Sequence, residues 1–373
     1  MNGAPRRRQP DLPRAVALVV VGAATLALPL VLNTPQLTIY VTVGLFTMAV
    51  AGLSLLMGFA GQVSLGQGAF YGIGAYTAAI MAVHGWPPLL ALVLAPVMTT
   101  AIAVVLGAVL LRLRGHALAF GTLAVQLIFL SVLSQTPSLT GGDVGLSGIP
   151  ALGIGSFTLT SHLGYAYFVW LAAAAVLLVS RNITRSRPGR GLRAMATAPS
   201  AAAATGVNVV SYRLRDFALS AAYAGLAGGI YAFYLGYISP DAFPIMLSIE
   251  FVIMVVVGGL GTVSGAFVGA AAITVVTQVL SSLGTGPTLP AQLPAVLSDG
   301  VYALILITVL RLLPDGIVGA CSRLARGAVA AGARVARRRE PPPVGEAEAA
   351  PVVASAEPAQ PEIAGLVPPR RGA

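Results

Sequence analysis

The sequence predicts an all-α fold, a polytopic transmembrane helical bundle of about ten spans with glycine-broken helices and both termini on the cytoplasmic side. Three observations carry this reading. First, the 373 residues are 57% hydrophobic and only 9% charged, with a mean hydropathy of +0.86. Soluble domains carry about 25% charged residues. A soluble domain, a mainly disordered chain and a nucleic-acid-binding partner role are therefore excluded. Second, the apolar body from Ala15 to Pro314 has room for about ten segments of the roughly 20 residues that cross a bilayer. Third, the arginines fall on one side of such an arrangement.

In chain order the spans read as 15–32, 37–57, 66–83, 89–111, 117–134, 163–180, 217–238, 245–258, 262–283 and 297–313. The charged start and first apolar run would suit a signal peptide. Asn33-Thr-Pro-Gln follows instead of a small-x-small cleavage site, so the first span is expected to be retained. The eighth span is short and carries Glu250, which suggests a broken or re-entrant segment. Arg6, Arg7, Arg8 and Arg14 precede the first span, and Arg112 and Arg114 follow the fourth. Arg181 to Arg215 separate the sixth and seventh, and the remaining arginines lie at or beyond the end of the tenth. With both ends inside, every arginine is cytoplasmic, while Asp143 and Asp241 lie outside.

The chain divides accordingly into a cytoplasmic N-terminus (1–14), a transmembrane domain (15–313) with a cytoplasmic loop over 181–216, and a cytoplasmic tail (314–373). The tail begins basic and becomes Pro/Ala/Glu-rich from Pro341, where disorder is expected. The basic stretch either rests on anionic lipid or serves as a topology determinant.

All 22 basic residues are arginine. No Walker A lysine, Schiff-base lysine or lysine nucleophile can exist here. Cys321 is the single cysteine and cannot close an internal disulfide. His84, His116 and His162 are scattered, and no metal or catalytic constellation is legible.

The chain echoes itself. Gly58-Phe-Ala-Gly61-Gln-Val-Ser64 is followed by Gly68-Ala-Phe-Tyr-Gly72, and Gly258-Gly-Leu-Gly261-Thr-Val-Ser264 by Gly265-Ala-Phe-Val-Gly269. Both follow a span that runs inward, which suggests a parallel repeat, against the objection that Gly, Ala and Val are common here. Gly58, Gly61, Gly258 and Gly261 break helices near the membrane surface. Irregular backbone at that depth must be buried in protein or line a cavity. Gly68/Gly72 and Gly265/Gly269 have the spacing of close helix crossings. These segments either pack helices tightly or also line a translocation pathway. Ser64, Gln67 and Tyr76 either bond neighbouring helices or face that pathway. Glu250 is read as a gate, pathway or partner-contact group, or as an interfacial or protonated carboxylate. Asp216 beside Arg215 is expected to form a local ion pair at a span end. Thr140, Gly141, Gly142, Asp143 and Gly145 form a glycine-rich outer loop, either flexible or a docking surface.

The run Gly58-Phe-Ala-Gly-Gln-Val-Ser-Leu-Gly-Gln-Gly-Ala-Phe-Tyr-Gly-Ile-Gly-Ala-Tyr76 resembles the signature of permease subunits of branched-chain amino acid ABC importers. So do Leu139-Thr-Gly-Gly-Asp-Val-Gly-Leu-Ser-Gly-Ile-Pro150, Gly206-Val-Asn, Arg213-Leu-Arg-Asp-Phe217 and Gly258-Gly-Leu-Gly-Thr-Val-Ser-Gly265. They stand in family order over about 37–313, and the Thr-Gly-Gly loop resembles the longer, M-type subunit. The resemblance implies a bacterial inner-membrane importer core that translocates branched-chain or hydrophobic amino acids by alternating access. Its implied partners are a second homologous permease, two cytoplasmic ATPases and an extracytoplasmic solute-binding protein. No cofactor is expected on this chain; ATP is used by the ATPases.

The resemblance also places a coupling helix in the stretch Gly191–Gly206, with Arg190, Gly191, Arg193, Ala201, Ala204 and Gly206 as the candidate ATPase contacts. The Thr140–Gly145 loop, outside by the arginine placement, is read as docking the binding protein, closing the outer gate, or simply flexible. The alanine run after Pro199 suits a helix with Gly206 as its stop. Family members usually carry acidic and amide residues where Ala196 to Ser200 stand, so the docking contacts differ here. The same machine could serve urea or a sugar. An ion-coupled secondary transporter needs intramembrane carboxylates, and only Glu250 qualifies. A membrane-embedded enzyme needs clustered His, Asp or Glu, and the spans hold none.

Overall fold

Asn33 starts the first long helix, its backbone amide donating to Gln36 Oε1 at 3.2 Å. This computed structural model describes residues 27–284 except 114, 155 and 156, together with 300, 304, 311, 316–321 and 323. Helix α1 spans Thr34–Ser54 and widens into a π turn over Leu55–Phe59. It is followed by α2 (Gln67–Val83), α3 (Pro88–Leu110) and α4 (His116–Gln135). Then come α5 (His162–Arg185), α6 (Arg187–Thr197), α7 (Pro199–Ala204) and α8 (Val209–Leu235), and lastly α9 (Ile245–Gly258) and α10 (Val263–Gly284). Proline opens several of these helices, where its missing N–H costs nothing. Ser161 caps α5 by accepting from the Gly164 amide at 3.1 Å, and Asn208 caps α8 by accepting from Ser211 at 3.0 Å.

Among the described residues, six helical segments are long and apolar enough to cross a membrane: Thr34–Phe59, Pro88–Leu110, His116–Gln135, His162–Arg185, Val209–Leu235 and Pro240–Gly258. Helices α2 and α10 match the expected third and ninth spans. The expected first and tenth spans lie almost wholly outside the described residues. The eighth is a continuous α-helix rather than a broken one, preceded by a turn over Pro240–Ala242. Two helices overrun their expected ends. Helix α5 continues to Arg185, where a cation in the last turn suits the helix dipole, and α8 begins at Val209 behind its Asn208 cap. Only 186–208 then separates them, rather than 181–216.

Helices α1 and α8 form the centre. Helix α1 packs against α5, α8 and α10, and α8 against α1, α2 and α3. The α2–α8 crossing is close because Gly74 lies on the Gly225 backbone and Gly228 on the Tyr71 carbonyl. Tyr71 anchors an aromatic core, with ring centroids 5.5 Å from Tyr231, 5.9 Å from Phe243 and 5.9 Å from Phe251. Single helical turns at Leu28–Leu30, Pro137–Thr140 and Gly142–Val144 and four short strands complete the described elements. Strand β1 (Leu146–Ser147) pairs antiparallel with β4 (Tyr237–Ile238), and β2 (Gly153–Ile154) with β3 (Phe157–Thr158).

Candidate functional site: the paired helix breaks and the cytoplasmic helix on them

The two echoed segments come together. Gly58 lies against the backbone of Gly261, and Ser54 Oγ donates to the Thr262 carbonyl at 3.4 Å. Gly61 and Gly261, equivalent in the echo, have φ of +66° and +73°. Only glycine takes that left-handed conformation without strain. The breaks differ afterwards. Five residues separate Gly61 from α2, whereas α10 starts at Val263, two positions after Gly261; the second segment is three residues shorter. Ser64 is consequently buried in the connection and Ser264 exposed in the first turn of α10.

Gly258 and Gly269 carry the α9–α10 hairpin: Gly258 backs onto the Gly265 carbonyl and Gly269 onto the Met254 carbonyl. Gly68 and Gly72 behave otherwise. Gly68 makes room for Ser248 and Gln126, and Gly72 for the rings of Phe129 and Phe243. Their spacing matches a helix crossing, but side chains fill the space, and α2 makes its backbone crossing at Gly74.

The first break is fastened by buried polar groups. Gln67 Nε2 donates to the carbonyls of Ala49 at 2.9 Å and Ser220 at 3.3 Å, and Gln67 Oε1 accepts from Ser220 Oγ at 3.2 Å. The Gly68 amide donates to Ser248 Oγ at 2.8 Å, and Ser248 Oγ in turn donates to Gln126 Oε1 at 3.1 Å. Gln126 Nε2 reaches the Phe243 carbonyl at 3.0 Å, and the Leu65 amide reaches Thr122 Oγ1 at 2.8 Å. Gln67 thus bonds neighbouring helices, the first of its two sequence readings. Thr122, Gln126, Ser220 and Ser248 were missed in sequence. Gln126 carried a usable signal as the one amide inside 117–134. Gln62, also buried, has no hydrogen-bond partner on either amide atom among the described residues.

The connection between α5 and α8 rests on this break. Helix α6 buries Leu192 and Met195 and exposes Arg190. Its Ala196 lies against Gly61, and its Arg193 guanidinium carbon stands 5.2 Å from the Phe59 ring centroid in the π turn. Arg193 Nη2 also donates to the Thr184 carbonyl at 3.1 Å. Gly191 admits the Tyr212 ring. The helix expected after Pro199 is α7, with Ala202 buried, Ala201 and Ala204 exposed, and Gly206 beyond its end at φ +86°. The longer α6 lies directly before it and covers the first part of the stretch in which the resemblance places a coupling helix.

The Thr140–Gly145 loop is tied down. Thr140 Oγ1 shares its one proton between the carbonyls of Leu133 at 2.6 Å and Thr136 at 2.8 Å and accepts from the Gly142 amide at 3.2 Å. Gly141 folds onto Gly145, Gly145 onto Ile238, and Tyr237 Oη donates to the Val144 carbonyl at 2.6 Å. Asp143 is left exposed. Tyr76 is buried between Phe129 and Phe243, its hydroxyl without a hydrogen-bond partner among the described residues. Glu250 sits half-buried on α9. The ion pair expected between Asp216 and Arg215 does not form. Adjacent helical residues point about 100° apart, so Asp216 is buried, with neither oxygen hydrogen-bonded among the described residues, while Arg215 is exposed.

Residues 36–310 match the family described as the branched-chain amino acid transport system / permease component. Similar proteins include the high-affinity branched-chain amino acid transport system permease protein LivM of Salmonella typhimurium, 32% identical over 65% of this chain and 61% of the relative. LivM of Escherichia coli is 32% identical over 60% of this chain and 57% of the relative. The autoinducer 2 import system permease protein LsrC of Salmonella typhi is 29% identical over 46% of this chain and 48% of the relative. The chain spans about six tenths of the length of the two LivM relatives. No solved structure matches it. With the family covering most of its length and its apolar helices in place, the chain belongs to the branched-chain amino acid permease-component family, as a multi-pass protein of the cytoplasmic (inner) membrane and not an enzyme.

Proposed function

We propose that this chain is a membrane-spanning subunit of an ATP-driven ABC importer that moves branched-chain or hydrophobic amino acids inward by alternating access. One observation carries the reading. Helix α6 is seated on the first helix break, with Ala196 on Gly61 and Arg193 over Phe59, and that break lies against the second at Gly261. A push on α6 from a cytoplasmic ATPase would therefore reach both glycine breaks with no intervening element. The partners in this reading are two such ATPases, a second homologous permease, and a solute-binding protein docking at Thr140–Gly145. The arrangement has ten spans with both termini inside, and Arg190, Gly191, Arg193, Ala201, Ala204 and Gly206 form or flank the coupling surface. Ser64, Tyr76, Glu250 and Ser264 remain pathway candidates.

The test is uptake in proteoliposomes containing this chain with its co-purifying partners and a solute-binding protein. Leucine, isoleucine, valine, urea and ribose are compared with and without ATP. ATP-dependent leucine uptake that disappears without the ATPase is expected. Uptake by this chain alone under a proton gradient would overturn the reading and direct attention to Glu250. The similarity to an autoinducer 2 import permease supports a second reading, the same machine for another solute. ATP-dependent uptake of ribose or urea but not leucine would select it.

A further inference from the structure

We infer that the groove between α5, α6 and the start of α10 is a binding site for an anionic phospholipid of the inner leaflet. The groove encloses about 690 Å³. Arg181, Arg185 and Arg193 line one end, and among the described residues no acidic side chain lines the groove. Ser264 and the first turn of α10 open onto the same space, adding a hydroxyl and the positive end of a 22-residue helix. The other end is apolar. Ala174, Leu177 and Leu178 continue the α5 stripe that carries Arg181 and Arg185. From Arg185 to Ala174 is 11 residues, about 16 Å of helix.

A soluble anion would occupy only the arginine end. The acidic surface of a cytoplasmic protein would not follow the groove into the apolar depth of the bilayer. A phospholipid matches both ends, with its phosphate among the guanidinium groups and an acyl chain along Leu177, Leu178 and Ala174. The outward face of α5 continues that apolar surface, with Leu171 72% and Leu178 56% exposed. Arg193 also lies over Phe59, so a lipid bound here touches the side chain that joins α6 to the first break.

The inference rests on the cytoplasmic placement of the arginines in the proposed function, but its test needs no ATP, solute or partner. The full chain is purified in detergent. Retention of dioctanoyl phosphatidylglycerol is measured by native mass spectrometry against dioctanoyl phosphatidylcholine, with glycerol 3-phosphate as the soluble competitor. Phosphatidylglycerol is expected to bind at least about tenfold more tightly than phosphatidylcholine. The double variant Arg181→Gln/Arg185→Gln should weaken phosphatidylglycerol about tenfold at unchanged melting temperature. Arg112→Gln/Arg213→Gln removes the same charge from a separate recess between α3 and α8 and should change retention less than about twofold.

Equal weakening by both double variants would reduce the effect to general charge attraction, and weakening by neither would place the lipid elsewhere; either result overturns the site. Competition by glycerol 3-phosphate as strong as by the lipid would make it a soluble-anion site. A failed uptake assay leaves all these readouts intact.

Discussion

The backbone of Gly58 lies against that of Gly261, so a Cβ built on Gly58 would overlap the Gly261 amide nitrogen. Two segments about 200 residues apart in sequence, each at the end of a long helix, share one small volume. Gly58→Ala should force the breaks apart at a cost of about 1–3 kcal/mol. Thermal melting in detergent should show a lower midpoint, and reconstituted uptake should fall with it. An unchanged midpoint would mean that the two breaks separate without cost.

Gln67 bonds α2 to α1 and α8 through three hydrogen bonds. Gln67→Leu keeps the approximate volume and removes all three, leaving Ser220 Oγ without its acceptor. The expected loss is about 1–2 kcal/mol, since hydrogen bonds between membrane helices are modest. Gln67→Glu should be worse than Leu at neutral pH, because an ionised carboxylate would face the Ala49 and Ser220 carbonyls. Melting curves of the two variants give the order.

Arg193 and Arg190 lie one turn apart on α6, but only Arg193 reaches the break. Arg193→Gln should cost about 1 kcal/mol or less in stability while lowering solute taken up per ATP hydrolysed. Arg190→Gln should leave that ratio nearer the parent. Equal ratios in the two variants would remove Arg193 from the coupling route.

Thr140 holds its loop with one donated proton shared between two carbonyls and one accepted bond. Thr140→Val should speed amide hydrogen exchange over Gly141–Leu146 and leave α1 and α8 protected, because a locally tethered segment opens without global unfolding.

Placement across the membrane is directly measurable. In a Cys321→Ser background, Asp143→Cys and Ala201→Cys put single thiols at exposed positions on the outer loop and α7. A membrane-impermeant maleimide applied to intact cells should label the first and not the second. The reverse pattern would invert the orientation that the arginines imply.

Composition and arginine placement determined the class of this protein. A chain so apolar has no stable aqueous fold, and the bilayer then dictates helices because each backbone group must be paired within its own segment. The glycine echo was legible as well, since positive φ and close backbone approach both require glycine. Tertiary structure alone decided how those pieces meet. Nothing in the spacing told that Gly58 would touch Gly261, that Gly68 and Gly72 would admit side chains while Gly74 carried the crossing, or that α6 would rest on Gly61. Those contacts join residues from about 60 to about 200 positions apart. Which polar side chain answers which is set by how the helices rotate against one another, and in a membrane every helix is apolar on nearly all sides, so periodicity does not mark the inward face.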